Sequence, residues 1–230
     1  MLDFDGTIAG LRRRPQDVRL PARTREMLGR LASLPGVAVA IISGRMIRDL
    51  QEKVGVEGVR YFGLHGAQKE TGLVALRSEA LRSLSQARRE ARTQLRGLPE
   101  IWIEDKNLSF VVHYRGAKPA TIQVAELILL RILAPLRFAL KNLKGDKVWE
   151  VAPKEMPGKG SAVRSLLGDL PEQAVAIYIG DDETDESAFE ILPNAITVKV
   201  GRARSTRANF YVQNQGEVPR LLSMLEKELR

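Results

Sequence analysis

Two groups of carboxylates stand where chemistry would need them. The first is Asp3-Phe4-Asp5-Gly6-Thr7, at the end of what reads as the first strand. Carboxylates two apart on an extended chain point to the same side. Here the strand is ending and Gly6 lets the backbone bend just after the pair, so both can face one site. Such a pair can divide two jobs, one carboxylate attacking and the other moving a proton. An Asx-type turn after a strand accounts for the same residues. The second group is Gly180-Asp181-Asp182-Glu183-Thr184-Asp185-Glu186, with five acids in six positions after an apolar strand. Crowded like charges destabilise unless a cation neutralises them, and hard carboxylate oxygens suit Mg²⁺. Acids in a helix's first turn also complement its dipole. That explains Thr184, Asp185 and Glu186, but not Asp181 and Asp182 ahead of them.

Two smaller signals sit at similar junctions. Ser43 ends an apolar run just before a helix starting near Arg45. A hydroxyl beside the free N–H groups of a helix start can hold a phosphate, or serve simply as an N-cap. Lys159 lies in Pro157-Gly158-Lys159-Gly160. This is not a Walker A loop, since Pro153 stands where the first glycine belongs and Gly160 replaces the final Ser/Thr. A lysine there can bridge a carboxylate and a phosphate.

The elements that must position these residues alternate. Residues 21–34 read as a helix, with Met27, Leu28, Leu31 and Leu34 on one face. Residues 37–42 form a continuous apolar run, as in a parallel strand buried on both faces. Ile47, Leu50 and Val54 mark a short helix stopped by Gly55, and residues 60–64 a strand leading into His65-Gly66. The rhythm returns with a helix at 160–167, a strand at 174–179, a helix at 184–192, a strand at 195–200 and a closing helix at 218–229. Such alternation argues for an α/β doubly wound parallel sheet. The middle differs: a helix at 78–95, strands at 101–104 and 109–114 around Asp105-Lys106-Asn107, a helix at 120–133 and a strand at 148–151. That order suggests an inserted α+β domain with an antiparallel sheet. The expected division is a discontinuous core, residues 1–73 and 154–230, around an insert at 74–153.

Composition narrows the class. The 230 residues carry 36 Lys+Arg against 28 Asp+Glu, a formal charge of +8, and are 44% apolar, an ordinary globular balance. Basic residues such as Arg82, Arg88, Arg89, Arg92 and Arg96 are spread along a helix without interleaved aromatics, which argues against nucleic acid as a partner. A positive field would attract an anionic small substrate. The apolar run at 125–136, interrupted by Glu126 and Arg131, falls short of the roughly 20 residues that span a bilayer. No signal peptide is read at the N-terminus, and a membrane partner is not expected. The absence of cysteine excludes disulfides, thiolate nucleophiles and cysteine zinc sites. It fits a cytoplasmic protein, expected to be a monomer.

Asp3-x-Asp5, Ser43, Lys159 and the Asp181 group, taken in that order, resemble the four motifs of the haloacid dehalogenase superfamily of phosphotransferases. Within it, Ser43-Gly44-Arg45, Gly63-Leu64-His65-Gly66, Glu104-Asp105-Lys106, His113-Tyr114-Arg115, Trp149-Glu150-Val151 and residues 180–186 are similar to the trehalose-6-phosphate phosphatase family. Thr206, Ala208 and Glu217-Val218 fall at that family's spacing too. The resemblance covers nearly the whole chain and makes the insert an αβ cap of the C2B type.

The resemblance implies a Mg²⁺-dependent phosphatase of trehalose biosynthesis that hydrolyses trehalose 6-phosphate. It makes Asp3 the nucleophile, forming an aspartyl-phosphate, and Asp5 the acid and then the base. Ser43 and Lys159 would hold phosphate. Mg²⁺ would bind the Asp3 carboxylate, the Asp5 backbone carbonyl and Asp181, with Asp182 and Asp185 as further ligands through water or as orienting groups. Glu104, Lys106 and Glu150 become readers of sugar hydroxyls, with Arg45, His65, Gly66, His113 and Arg115 nearby. An ordinary strand at 113–115 and a strand-ending turn at 65–66 explain those residues equally well. Sucrose phosphate or mannosyl-3-phosphoglycerate are rival substrates, and a receiver-like phosphate-binding module is a rival class. One departure stands out. Only Met1 and Leu2 precede Asp3, whereas the family's first strand begins several residues earlier, so the natural start is expected upstream.

Overall fold

The computed structural model describes residues 1–12, 14–202 and 205–230. In chain order the elements are α1 (Ala22–Ala32), β1 (Val39–Ile42), α2 (Ile47–Val54), β2 (Val59–Phe62), the short hairpin β3 (Gln68–Lys69) and β4 (Gly72–Leu73), α3 (Ser78–Gln94), β5 (Trp102–Asp105), β6 (Phe110–His113), α4 (Pro119–Leu133), β7 (Leu140–Gly145), β8 (Val148–Pro153), α5 (Lys159–Leu167), β9 (Ile177–Gly180), α6 (Glu186–Glu190), β10 (Ile196–Val200), β11 (Phe210–Val212) and α7 (Val218–Glu228). They fall into two compact units, Met1–Val74 with Pro157–Arg230, and Ala75–Met156.

The main sheet of the first unit is parallel. β1 pairs with β2, and β10 lies between β9 and β11. Leu2 joins the halves by bridging Ile41 on one side and Ile179 on the other. Leu2 N donates to Ala40 O, Ile42 N to Leu2 O and Asp3 N to Ile179 O, each at 2.9 Å. Three residues thus do the work of a central strand and deliver Asp3 to its carboxyl end. Side chains alternate across β1. Val39 and Ile41 pack with Met27 and Leu31 of α1, Leu50 of α2 and Leu222 of α7. Ala40 and Ile42 pack with Val163 and Leu166 of α5 and Phe189 of α6. Burial on both faces is why the strand is apolar at every position. Gly55 ends α2 at φ 57°, a left-handed cap that glycine adopts without steric cost.

The second unit is an antiparallel sheet in the order β5-β6-β8-β7. Phe110, Val112, Trp149 and Val151 face a core shared with Leu84 and Ala91 of α3 and Ala125, Leu129 and Ile132 of α4. The pairing sets Trp102 opposite His113 and both Glu104 and Glu150 opposite Val111, so these residues share the other face.

The sheet departs from the sequence reading in instructive places. β9 starts at Ile177, not at residue 174, and Val175 is 79% exposed. The helix expected at 184–192 is a 3₁₀ turn over Glu183–Asp185 followed by the five-residue α6. β7, an edge strand of sequence LKNLKG, is half-buried along most of its length, so it lacks the apolar alternation that betrays a strand. The helical stretch Pro119–Leu136 has 18 residues at hydropathy 1.5, long and apolar enough by length and composition to cross a membrane. It packs against α3 through Ala125, Leu129 and Ile132, while Val124, Leu127 and Leu130 are exposed.

Phe110 is fully buried at the middle of the second unit's core. Phe110→Ala is expected to cost about 3–5 kcal/mol in urea or thermal unfolding, as large-to-small core changes do. A loss under about 1 kcal/mol would mean that this sheet–helix core is not the packed layer described.

Candidate active site

The carboxyl ends of the central strands bring the acids together. Asp3 is 4% exposed, Lys159 2% and Asp185 0%. Lys159, the first residue of α5, places its Nζ 2.8 Å from Asp3 Oδ1 and 2.7 Å from Asp185 Oδ1. The Tyr178 hydroxyl, on β9, donates to the same Asp185 oxygen at 2.7 Å. Asp185 Oδ2 accepts from Asp182 N at 2.9 Å. Both oxygens of Asp185 are therefore committed to holding its neighbours. Asp181 follows β9, and its Oδ1 accepts from Thr7 Oγ1 at 2.8 Å. One oxygen from each of Asp3, Asp181 and Asp185 falls within a group spanning 4.8 Å.

Two glycines let the backbone come this close. Gly6 has φ 82°, and a Cβ there would stand 2.1 Å from Asp181 Oδ2. A Cβ on Gly180 would stand 2.3 Å from Asp185 Cγ. Both spaces are occupied by carboxylate, so the turn after Asp5 and the acidic loop interlock.

The electrostatics follow from burial. Burial is the largest effect on Asp3 and raises its carboxyl well above the ordinary carboxylate range; Lys159 pulls the other way, while Asp185 and Asp181 add to the rise. Burial likewise raises Asp181, to about 6, with Asp185 contributing and the Thr7 and Asp3 hydrogen bonds opposing. Burial alone would lower Lys159, but the charges and hydrogen bonds of Asp185 and Asp3 hold it above its ordinary value. Tyr178 is raised by burial first and by Asp185 next. Three carboxylates thus share one ammonium in a buried place, and at neutral pH their anionic forms are under-compensated. Hard oxygen donors short of positive charge are a fitting set for Mg²⁺.

Other residues singled out from the sequence take different positions. Asp5 does not join the acidic group. Its Oδ2 accepts from Arg45 Nε at 2.6 Å and its Oδ1 from Arg45 Nη2 at 2.7 Å. Arg45 also donates to Asp49 Oδ2 at 2.5 Å and to Pro15 O at 2.9 Å. Burial works to lower the Arg45 guanidinium, but Asp5 and then Asp49 outweigh it and raise it. Ser43 is buried, and its Oγ accepts from Arg45 N at 3.2 Å. His65 lies in the left-handed region at φ 57°, and its ring packs on Gly44, where a Cβ would be 2.7 Å away. Gly66, at φ 105°, sits against Ala162 of α5. Asp182 also lies outside the acidic group. Its Oδ1 accepts from Glu183 N at 2.7 Å, capping the turn that carries Asp185.

In the second unit, His113 Nε2 and Glu104 Oε2 are 2.9 Å apart. Burial acts to raise Glu104, but the His113 hydrogen bond and Lys106 hold its carboxyl below the usual range. Ser109 Oγ donates to Glu150 Oε1 at 2.6 Å, and Lys106 Nζ is 3.8 Å from Glu150 Oε2. Arg115 stands apart, paired with Asp146. Thr7 and Tyr178 escaped the sequence reading. Thr7 stood in the quoted motif without a role, and Tyr178 was hidden in an apolar strand, where its hydroxyl was the only signal.

Because Asp181 holds a proton more tightly folded than unfolded, its contribution is favourable below about pH 4 and is lost as pH rises through about 6. In EDTA at pH 8, Asp181→Asn is therefore expected to be more stable than the parent by about 1–3 kcal/mol, at about 1.36 kcal/mol per pKa unit. The difference should vanish at about pH 4, and saturating Mg²⁺ should stabilise the parent far more than the variant. Equal unfolding curves at pH 8 without metal would contradict the crowding described.

The family model and the curated relatives agree on one family. The family model described as trehalose-phosphatase matches residues 1–215. Trehalose-phosphate phosphatases of Mycobacterium tuberculosis and Mycobacterium marinum are 32% and 31% identical over 99% of this chain. The chain spans 61% of the length of these curated relatives. Among solved structures, a trehalose-6-phosphate phosphatase related protein superposes with a TM-score of 0.75 at 28% identity, covering 99% of this chain and 96% of that one. The C-terminal domain of Candida albicans trehalose-6-phosphate phosphatase shares the fold, with a TM-score of 0.82 at 22% identity over 98% and 90% of the two chains. With the buried Asp3–Lys159–Asp185 arrangement at the head of a parallel sheet, and a family match that runs through both units, the chain belongs to the trehalose-phosphatase family, on a haloacid dehalogenase-type fold.

Proposed function

We propose that this chain is a Mg²⁺-dependent phosphatase that hydrolyses trehalose 6-phosphate to trehalose and phosphate. The observation that carries the reading is the Lys159 ammonium held between Asp3 and Asp185, beside Asp181, in a trehalose-phosphatase family member. Asp3 is the nucleophile. Its carboxylate oxygen attacks phosphorus, the bond from phosphorus to the sugar oxygen breaks, and Asp5 supplies the proton that the leaving oxygen needs. Asp5 then takes a proton from water as that water attacks the aspartyl-phosphate and frees Asp3. Lys159 offsets the negative charge of nucleophile and phosphate. Asp185, with both oxygens engaged, keeps Lys159 in place. Ser43 is assigned to a phosphate oxygen. Asp3, Asp181 and the Asp5 carbonyl are the groups that would hold Mg²⁺, with Asp182 and Asp185 orienting the loop. Bound there, Mg²⁺ would offset the repulsion between anionic Asp3 and anionic phosphate.

Arg45 gains a role that the sequence reading did not give it. Its two-point grip fixes the orientation of the Asp5 carboxylate, so its guanidinium positions the proton-transfer group. Lysine offers a compact point charge and no fork. On the second unit, Glu104, Lys106 and Glu150 are assigned to the sugar hydroxyls, with His113 and Arg115 as further substrate contacts; His65 and Gly66 are assigned the same role from the first unit. The substrate-reading domain is assigned to 74–153 and the catalytic core to 1–73 and 154–230.

The test is phosphate release from a panel of trehalose 6-phosphate, sucrose 6-phosphate and mannosyl-3-phosphoglycerate with Mg²⁺, alongside Asp3→Asn. Turnover of trehalose 6-phosphate at least tenfold above the others, abolished by Asp3→Asn, is expected. Preference for another phosphosugar would overturn the substrate, and full activity of Asp3→Asn would overturn the mechanism. Arg45→Lys is expected to lower kcat by on the order of 10- to 100-fold, at or below the low end of the roughly 10²–10⁴-fold that general acid–base catalysis supplies. An unchanged kcat in Arg45→Lys would remove Arg45 from the proton-transfer step.

A further inference from the structure

A second buried lysine sits beneath the acidic loop. Lys199 lies on β10 at the position paired with Gly180 of β9, and it is 7% exposed. Its Nζ donates to Asp181 O at 2.6 Å and to Asp182 O at 3.2 Å. Glu186 Oε1, on α6, is 3.7 Å away. Glu186 in turn accepts from the Thr206 hydroxyl at 2.8 Å and from Arg207 N at 2.7 Å. An ammonium has three donors and no acceptor, and burying it without partners is costly. Here two main-chain carbonyls and a carboxylate surround it.

The peptide between Asp181 and Asp182 is thereby held at both edges. Its carbonyl accepts from Lys199, and its N–H donates to Asp185 Oδ2 at 2.9 Å. A cation at the oxygen and an anion at the nitrogen align with the peptide dipole, and each bond strengthens the other. The Asp181 side chain branches from the fixed edge of this peptide, so its carboxylate direction is set by a plane that cannot rotate freely. We propose that Lys199 is a positioning residue for divalent metal, acting through the Asp181–Asp182 peptide without touching the ion. The inference rests on the reading of Asp3 and Asp181 as the Mg²⁺ site.

Two physical effects of removing Lys199 have opposite signs. If the lysine acted only as a nearby positive charge, its loss would tighten Mg²⁺ binding, because like charges repel. If it fixes the peptide, its loss weakens binding, by about 10–100-fold as for other residues that orient metal ligands. Calorimetric titration of the metal-free protein with MgCl₂ separates these. The parent is titrated first, and no binding by the parent would refute the metal reading itself. With the parent binding, Lys199→Met is expected to raise the Mg²⁺ Kd by about tenfold or more. Equal or tighter binding by Lys199→Met would overturn the proposal.

The chain contains no cysteine, so a Lys199→Cys variant offers a single alkylation site and guards against misfolding. It is alkylated in denaturant and refolded with either an aminoethyl group, which rebuilds a lysine-like ammonium, or a propyl group of equal length without charge. The expected result is recovery of Mg²⁺ affinity to within about threefold of the parent by the aminoethyl form alone, with both forms folded. The propyl form lacks the donor that fixes the peptide, so it should keep the loss of about tenfold or more that follows from freeing a metal ligand. Equal affinity of the two forms overturns the positioning role. A propyl form that fails to refold while the aminoethyl form folds makes Lys199 a determinant of the whole fold and likewise overturns the restricted role.

Discussion

A single ammonium, Lys159 Nζ, lies between the carboxylates of Asp3 and Asp185, and the arrangement of the first unit follows from keeping it there. A buried lysine is tolerable only among anions, and buried carboxylates only beside a cation. Each therefore justifies the others, and none can be moved alone. The parallel sheet supplies the registration. Leu2 is locked between Ile41 and Ile179, so Asp3 emerges at one defined height. β9 ends at Gly180, so the acidic loop emerges beside it. α5 begins at Lys159, so the ammonium enters from a rigid element and not from a loop. Tyr178 completes the arrangement from inside the sheet.

Two buried lysines beside the acidic loop, Lys159 and Lys199, divide the electrostatic work. Lys159 meets side-chain carboxylates, which can gain or lose a proton. Lys199 donates to two main-chain carbonyls, which never ionise, with Glu186 3.7 Å away. One cation faces the chemistry and the other faces the scaffold. A site crowded with acids uses both kinds of compensation: charge against charge, and charge against the peptide dipoles that aim the acids.

Much of this was legible in the residues because parallel strands advertise themselves. The apolar run ending at Ser43 and the one ending before Gly180 locate strand ends, where ligands of a parallel sheet gather. The helix stop at Gly55 and the start of α5 at Lys159 were readable from local chemistry. What was hidden shares a different physics. β7 carries Lys141, Asn142 and Lys144 on a half-buried edge, so no periodicity marks it. The grip of Arg45 on Asp5 joins residues 40 positions apart, and no spacing rule announces it. Tyr178 and Lys199 sit at strand positions that an apolar residue would fill, and only three-dimensional neighbours reveal why a hydroxyl and an ammonium are there. Asp182 and Asp185 looked alike in the acidic run, yet one caps a turn and the other anchors a lysine. That distinction depends on where the 3₁₀ turn over Glu183–Asp185 places each side chain.

The missing Cβ at Gly180 has a consequence for how such a chain can change over time. The space a side chain would occupy is taken by the Asp185 carboxyl group, further along the same acidic loop. A lineage that enlarged the glycine would have to surrender the aspartate in the same step, and with it the anchor of the lysine. The constraint runs one way: Asp185 fixes the glycine at 180, while a glycine there leaves position 185 sterically free.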